Sequence, residues 1–171
     1  MQHGLLVACV ATPYIGAFIG SRFANNNKAW YHRLKHPSYT PPDWVFGPAW
    51  TMLYGCIGAA SYLVAKEAAE QDVRLPLAVY GISLLLNWSW TPVFFGMHRL
   101  KTTNVMLSPI KSVGIIISTM IAAVGSHYLF YQVNPTAGLM MLPYVLWLCF
   151  ASSLNIGMAY LNQPPSEKKS S

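Results

Sequence analysis

The sequence predicts an all-α membrane protein, a bundle of five transmembrane helices with a long structured loop between helices 1 and 2. Of its 171 residues, 54% are hydrophobic and only 9% are charged, whereas soluble domains carry about 25% charged residues. Four windows contain no Asp, Glu, Lys or Arg: 1–21, 44–65, 75–98 and 112–166. A helix that crosses a bilayer needs about 20 residues. The lipid bilayer is therefore the expected surroundings of the chain.

The charge-free windows place the helices. The first three windows hold one helix each. The fourth is long enough for two helices joined at Asn134-Pro135-Thr136, because proline ends or kinks a helix and restricts the residue before it. The expected helices are 4–23, 44–66, 75–97, 104–130 and 137–161. They form a single domain over 1–163, and a short basic tail follows at 164–171.

Lys and Arg are distributed unequally between the two ends of the predicted helices. Only Lys66 and Arg74 lie at one end, while eight basic residues lie in the 1–2 loop, the 3–4 loop and the tail. The positive-inside rule places the richer end in the cytosol, with the N-terminus outside it and the C-terminus inside it. The net charge of +6 is thus a topology signal. The clustered basic surface of a nucleic-acid-binding domain is missing.

Small residues recur at every fourth position of the first helix, at Ala8, Thr12, Gly16 and Gly20. Stripes of this kind let helix backbones approach closely in lipid. Two interpretations stay open, packing within the chain and a face for a homodimer.

The 1–2 loop, about 24–43, is rich in rings and prolines. Loops of this length are usually functional or disordered, and this composition favours a folded lid over one end of the bundle. The alternative is an aromatic belt at the membrane interface. Just beyond the loop, Phe46, Trp50 and Tyr54 recur at a four-residue spacing, so they form one ridge of the second helix.

Two further helices carry inward stripes. On the third helix, Asn87, Trp90 and Phe94 share a face, and an amide in mid-membrane usually faces the bundle interior. On the fifth helix the stripe consists of Pro143, Trp147, Ala151 and Leu154. Both stripes are typical of a pocket wall, and both are also compatible with plain helix packing.

The sequence lacks the residues that several kinds of transport and catalytic chemistry require. No Asp or Glu lies in mid-membrane, where ion-coupled transporters often place one. No His, Cys or Glu set has metal-ligand spacing, and no nucleophile motif or phosphate loop is found. The sequence therefore predicts no metal, no required cofactor and no conventional catalytic residues.

Three blocks resemble the signature blocks of the translocator protein (TspO/MBR) family, also called the peripheral-type benzodiazepine receptor or tryptophan-rich sensory protein family. The blocks are WYHRLKHPSYTPPDWVFGPAWTMLYG (30–55), LNWSWTPVFFG (86–96) and LPYVLWLCFASSLN (142–155). The resemblance implies five tilted helices with the first loop folded over a cavity near the cytosolic end. It also implies binding of porphyrins, sterols and drug-like aromatic compounds, and a homodimer in several members.

The resemblance further implies which residues bind ligand. The positions that match are Phe46, Gly47, Trp50, Tyr54, Asn87, Trp90, Trp147, Ala151 and Leu154. The function implied is that of a membrane receptor or translocator for porphyrins and other tetrapyrroles, with a role in tetrapyrrole or lipid transport. One alternative is light-dependent porphyrin breakdown that uses Trp50 and Trp147. Another is a membrane scaffold whose pocket is incidental.

The chain departs from the family pattern at two places. The sterol-associated Leu…Tyr…Arg pattern is broken, because no Lys or Arg follows Tyr160 until Lys168. This break weakens the expectation that the protein binds sterols. Asp43 stands where Gly or Arg is commoner, and we expect it to pin the loop through nearby Arg33 and Lys35.

The resemblance favours the mitochondrial outer membrane as the location. The C-terminal KKSS has the spacing of a dilysine retrieval signal, which makes the endoplasmic reticulum the alternative.

Overall fold

Every regular element in the described residues, 2–96 and 107–163 of the computed structural model, is helical. The elements are α1 (Gln2–Asn26), α2 (Lys28–Tyr31), α3 (Asp43–Ala65), α4 (Arg74–Gly96), α5 (Leu107–Val133) and α6 (Pro135–Leu161). A single 3₁₀ turn, Lys66–Ala69, follows α3. The prediction of an all-α protein is confirmed for this part of the chain.

The five long helices correspond to the five predicted ones, and α2 is an additional short helix inside the predicted loop. The largest differences lie at the ends, since α1 extends to Asn26 rather than 23 and α5 to Val133 rather than 130. Hydrophobic windows locate apolar runs, whereas helix ends are set by capping groups. The predicted residues 97 and 104–106 lie outside the described residues.

Four of the long helices are apolar and long enough to cross a membrane: α1, α4, the part Lys111–Val133 of α5, and α6. The same property is not found for α3, whose first half is rich in rings, glycine and proline. Large apolar side chains point outward, such as Leu85 at 63% exposure and Leu146 at 67%. An apolar outer surface of this kind indicates lipid surroundings. The protein is therefore an all-helical integral membrane protein.

The long helices close into a ring. Helix α1 packs against α3 and α4, α3 packs against α6, and α5 packs against both α4 and α6. The order around the ring is therefore α1–α3–α6–α5–α4. We call the end where α1, α4 and α6 finish and α3 begins the lid end, and the opposite end the far end.

Short connections at the far end hold the ring together. Asn134 alone separates α5 from α6. Its side-chain oxygen accepts a hydrogen bond from the Ala137 backbone N–H at 3.1 Å, which caps the new helix. Pro135 occupies the first position of α6, where a missing N–H removes no helical bond. The predicted helix break is thus confirmed, and its site lies at Asn134.

Helices α1 and α3 touch toward the far end and separate toward the lid end. The Tyr14 hydroxyl donates to the Thr51 carbonyl at 2.7 Å. Deeper in the bundle, a Cβ placed on Gly58 would lie 2.8 Å from the Cα of Val10, so the two backbones are in contact. At Gly47, nearer the lid end, the same atom would meet nothing within 4 Å. The gap that opens between the two helices is one side of a cavity.

The small stripe of α1 packs within the chain. Gly16 lies against the Trp88 indole, and a Cβ on Gly20 would approach the Thr91 hydroxyl oxygen to 3.2 Å. Both contacts are with α4. Thr12 instead donates its hydroxyl hydrogen to the Ala8 carbonyl of its own helix. The first interpretation of the stripe fits these contacts, and the homodimer stays a prediction that gains no support from them.

The backbone contact at Gly58 makes a specific prediction. We expect Gly58→Ala to lower the free energy of unfolding by about 1–3 kcal/mol, because the added methyl group overpacks a site where the neighbour is backbone. Gly81→Ala is the matched control, since its Cβ would enter open space and alanine favours a helix. Thermal unfolding in detergent measures both. Equal melting temperatures for the two variants would contradict the contact.

Candidate ligand-binding cavity

A cavity of about 510 Å³ lies inside the ring at the lid end. Its volume falls in the range of small-molecule sites, about 300–1,000 Å³. All nine predicted site residues line it: Phe46, Gly47, Trp50, Tyr54, Asn87, Trp90, Trp147, Ala151 and Leu154. The structure thus brings together residues from α3, α4 and α6, although lining a cavity does not by itself show ligand binding.

The wall between α3 and α6 is aromatic. The ring centroids of Trp50 and Trp147 lie 6.3 Å apart at an interplanar angle of 83°, and those of Phe46 and Trp147 lie 6.0 Å apart at 75°. Both pairs have the edge-to-face geometry that aromatic quadrupoles favour. Ala151, one turn beyond Trp147, adds almost no side-chain volume. This wall therefore offers ring surfaces beside a gap.

The α4 wall is polar and aromatic. Asn87 Oδ1 accepts a hydrogen bond from the Tyr54 hydroxyl at 2.7 Å. The Trp90 indole stacks on Phe94, with ring centroids 4.8 Å apart and an interplanar angle of 18°.

A buried amide behind this wall fixes the Trp90 ring. The Trp90 Nε1–H donates to Asn155 Oδ1 at 2.9 Å, and the Ser112 hydroxyl donates to the same oxygen at 2.9 Å. Asn155 thus joins α4, α5 and α6 and holds the Trp90 ring in place.

Sequence reasoning missed Asn155, which is 0% exposed. A signal was present, because an amide in an apolar helix needs a partner. It also missed the α1 wall, formed in part by Ala17, Gly20 and Ala24, and it missed Trp88 on α4. Small residues indicate close packing of any kind, so their place on the cavity wall follows only from closure of the ring.

One member of the predicted α6 stripe is outside the cavity wall. Pro143 lies one turn farther from the lid than Trp147 and contributes to an apolar groove on the outer face with Met52 and Leu146. At this depth the interior is filled by Tyr144, which is 1% exposed. Pro143 therefore lies too far from the lid end to line the cavity. Helical periodicity predicts which residues share a face, but it does not predict how deep the cavity extends along that face.

Residues 27–42 fold over the lid end, and we call this segment the lid. Trp30 is 4% exposed and packs edge to face on Phe94, with ring centroids 5.7 Å apart.

Hydrogen bonds from the end of α6 hold the lid in place. The Asn162 side chain accepts from the Lys35 N–H and donates to the Lys35 carbonyl, both at 2.9 Å. The Tyr39 hydroxyl donates to the Ser153 carbonyl at 3.1 Å. The structured loop predicted from its composition is confirmed, and α6 anchors it.

The prediction that Asp43 pairs with Arg33 and Lys35 was wrong. Asp43 Oδ2 lies 3.4 Å from Lys28 Nζ and 3.2 Å from His32 Nε2, and Arg33 and Lys35 take no part in these pairs. Lys28 and His32 are four residues apart, so the turn at α2 presents them on the same side. The closeness of Arg33 and Lys35 to Asp43 along the sequence does not show which basic residues lie on the side of the turn that faces Asp43.

The lid and the first residue of α3 also supply polar groups to the cavity. These groups are Lys28 and Tyr31 of the lid and Asp43 of α3. Burial, and secondarily the negative charge of Asp43, raise the pKa of Tyr31 to about 12. The phenol therefore stays protonated near neutral pH and keeps its hydrogen-bond donor.

These features define an all-helical integral membrane protein with an aromatic cavity under a folded loop. The chain belongs to the TspO/MBR family, whose sequence profile matches residues 9–161. The family resemblance found in the three blocks is thereby confirmed over most of the chain.

Named relatives come from distant organisms. The chain is 39% identical to the Translocator protein of Homo sapiens over 146 residues, which cover 84% of this chain and 81% of the relative. It is 34% identical over 163 residues to Protein CrtK of Rhodobacter capsulatus, covering 95% and 91%. It is 35% identical over 158 residues to the Tryptophan-rich protein TspO of Archaeoglobus fulgidus, covering 92% and 96%.

Proposed function

We propose that the protein is a membrane receptor or translocator that binds flat hydrophobic molecules in its aromatic cavity, with porphyrins and other tetrapyrroles as the main class. The observation that carries the proposal is the set of rings formed by Phe46, Trp50 and Trp147 around the 510 Å³ cavity. Sterols and benzodiazepine-type compounds are further candidates. The name Translocator protein of the human relative supports a role in transport or homeostasis.

Two features suit a porphyrin, one its flat ring system and the other its acidic substituents. Edge-to-face rings beside the small Ala151 suit a flat aromatic body. Lys28 lines the cavity at its lid side. Its ammonium lies 3.4 Å from Asp43 Oδ2, and its side chain is 60% exposed, which leaves room for an acidic substituent to share the ammonium with Asp43. A molecule with a flat ring system and peripheral carboxylates matches both features.

Removing the two indoles tests the proposal. We expect Trp50→Ala/Trp147→Ala to weaken protoporphyrin binding about tenfold or more, because stacking on one aromatic side chain contributes about 1–3 kcal/mol and 1.4 kcal/mol is tenfold in affinity. Titration followed by the porphyrin Soret band in detergent measures the affinity without relying on tryptophan emission.

Trp44→Ala is the matched control for this titration. Trp44 lies on the same helix, is 73% exposed and is absent from the described cavity wall, so its loss should leave the affinity unchanged. Equal protoporphyrin affinities of the double variant and the control would contradict the proposal. They would favour a scaffold whose cavity is incidental, particularly if a partner protein co-purified in stoichiometric amount.

A second candidate function is light-dependent porphyrin breakdown. The observation that favours it is the closeness of Trp50 and Trp147 in one cavity, since both indoles can then contact one bound pigment. Under illumination, we expect Trp50→Phe/Trp147→Phe to slow the loss of porphyrin absorbance several-fold relative to Trp44→Phe. Identical rates in the two variants would exclude a role for these indoles.

We further propose that α3 is the fifth membrane crossing, with the lid end in the cytosol. Helix α3 closes the ring beside α1 and α6, and Arg22, Lys28, Arg33 and Lys35 lie on or near the lid. The mitochondrial outer membrane is the proposed location. The dilysine-like tail that favours the endoplasmic reticulum lies outside the described residues.

Epitope tags at the two termini test this topology. Five crossings place the termini on opposite sides, so after selective permeabilisation of the plasma membrane we expect antibody to reach only the C-terminal tag. Co-staining with organelle markers reports the location. Access to both tags under these conditions would refute the fifth crossing.

A further inference from the structure

One side of the cavity is open between α1 and α3. Most of the residues that line the cavity are buried or half-buried, but several on the facing edges of these two helices and on the lid between them are exposed. These exposed lining residues, which we call the mouth, are Ser21, Asn25, Lys28, Asp43, Gly47 and Thr51. A Cβ on Gly47 would meet nothing within 4 Å, so the mouth is the edge of the gap at which the two helices diverge.

An ion pair spans the mouth. Asp43 Oδ2, on α3, lies 3.4 Å from Lys28 Nζ, which belongs to the lid, and 3.2 Å from His32 Nε2. The side chains of Lys28 and Asp43 are 60% and 40% exposed. Among the described residues, Asp43 is the one acid at the lid end, because the other three lie between α3 and α4 at the far end. The mouth therefore holds a single carboxylate, and it faces an ammonium that lines the cavity.

Helical spacing places this carboxylate at the end of the aromatic ridge. Asp43, Phe46 and Trp50 stand at positions i, i+3 and i+7 of α3, so they share one face of the helix. Seven residues of an α-helix rise about 10 Å. A flat ring system that lies against Phe46 and Trp50 therefore extends its edge toward the mouth, where a substituent meets Lys28 and Asp43 together.

A carboxylate on that edge would meet one favourable and one unfavourable charge. Exposed ion pairs are weak, so a ligand carboxylate can replace Asp43 on the Lys28 ammonium. Asp43 then lies beside a second negative charge, and like charges at such short range disfavour each other. The charge of Asp43 also acts on the cavity wall, since it contributes, after burial, to the raised pKa of Tyr31.

We propose that Asp43 is a specificity-determining residue, whose carboxylate competes with the acidic substituents of a ligand for the Lys28 ammonium. The inference rests on the proposed binding of flat hydrophobic molecules in the cavity. Lys28 favours an acidic ligand, and Asp43 opposes it. The cavity therefore discriminates between acidic tetrapyrroles and their uncharged analogues less strongly than it would with Lys28 alone.

A charge-removing variant and a matched pair of ligands test the competition. Asparagine has nearly the shape of aspartate without its charge, so we expect Asp43→Asn to bind protoporphyrin, a dicarboxylic acid, about threefold more tightly or better. The affinity for protoporphyrin dimethyl ester, which lacks the acidic groups, should stay the same. Soret-band titration in detergent at neutral pH and low salt measures both affinities.

Asp72→Asn is the matched control, because Asp72 lies at the far end and pairs with Arg74 at 2.8 Å. It should change neither affinity. An unchanged protoporphyrin affinity in Asp43→Asn would overturn the competition. An equal gain in affinity for the ester would overturn it as well, because such a gain would indicate a loosened lid.

Removing the ammonium separates competition from general charge repulsion. In a Lys28→Gln background, we expect Asp43→Asn to improve protoporphyrin binding less than it does in the wild type, because the group that both carboxylates contact is absent. Equal gains in the two backgrounds would mean that Asp43 acts through repulsion alone, which contradicts the competition.

The same titrations distinguish the role of Asp43 from the proposed function. If the wild-type protein binds neither porphyrin, both proposals are wrong. If it binds both porphyrins and Asp43→Asn changes neither affinity, only the role of Asp43 is wrong.

Discussion

The backbone contact between α1 and α3 at Gly58 is the constraint on which the cavity depends. Gly58 lets α3 meet Val10 directly, and the Tyr14 hydroxyl then ties the helices at Thr51. With the far end closed in this way, α1 can rest on α4 through Gly16 and Gly20 and complete the ring. The same two helices diverge toward Gly47, so closure at one end leaves space at the other.

Buried amides connect the elements around that space. Asn155 joins α4, α5 and α6 through Trp90 and Ser112, Asn87 joins α4 to α3 through Tyr54, and Asn162 joins α6 to the lid through Lys35. An amide has both a donor and an acceptor, so one side chain can satisfy groups from two directions. In lipid such bonds have little competition from solvent, and they specify how the elements meet.

The cavity wall was predictable where a residue carries its own chemistry. Phe46, Trp50 and Tyr54 at helical spacing point to one ridge, and Asn87 demands an interior partner, so the α3 and α4 walls follow from the pattern and the family blocks. The α1 wall did not follow, because Gly20 and Ala24 are small and suit any close contact. Nor did the pairing of Asp43 with Lys28 and His32, since it depends on the direction of the turn at α2.

The sequence by itself determined that the protein is a helical membrane protein, because charge-free runs of this length can be solvated only by lipid or by each other. It also determined which faces of α3, α4 and α6 carry rings, because helical periodicity is local. Only the tertiary structure decided the order of helices in the ring, the depth at which the cavity ends above Tyr144, and the anchoring of the lid by Asn162. These features arise from contacts between residues far apart in the chain, and the free energy of such contacts depends on shapes that no local pattern records.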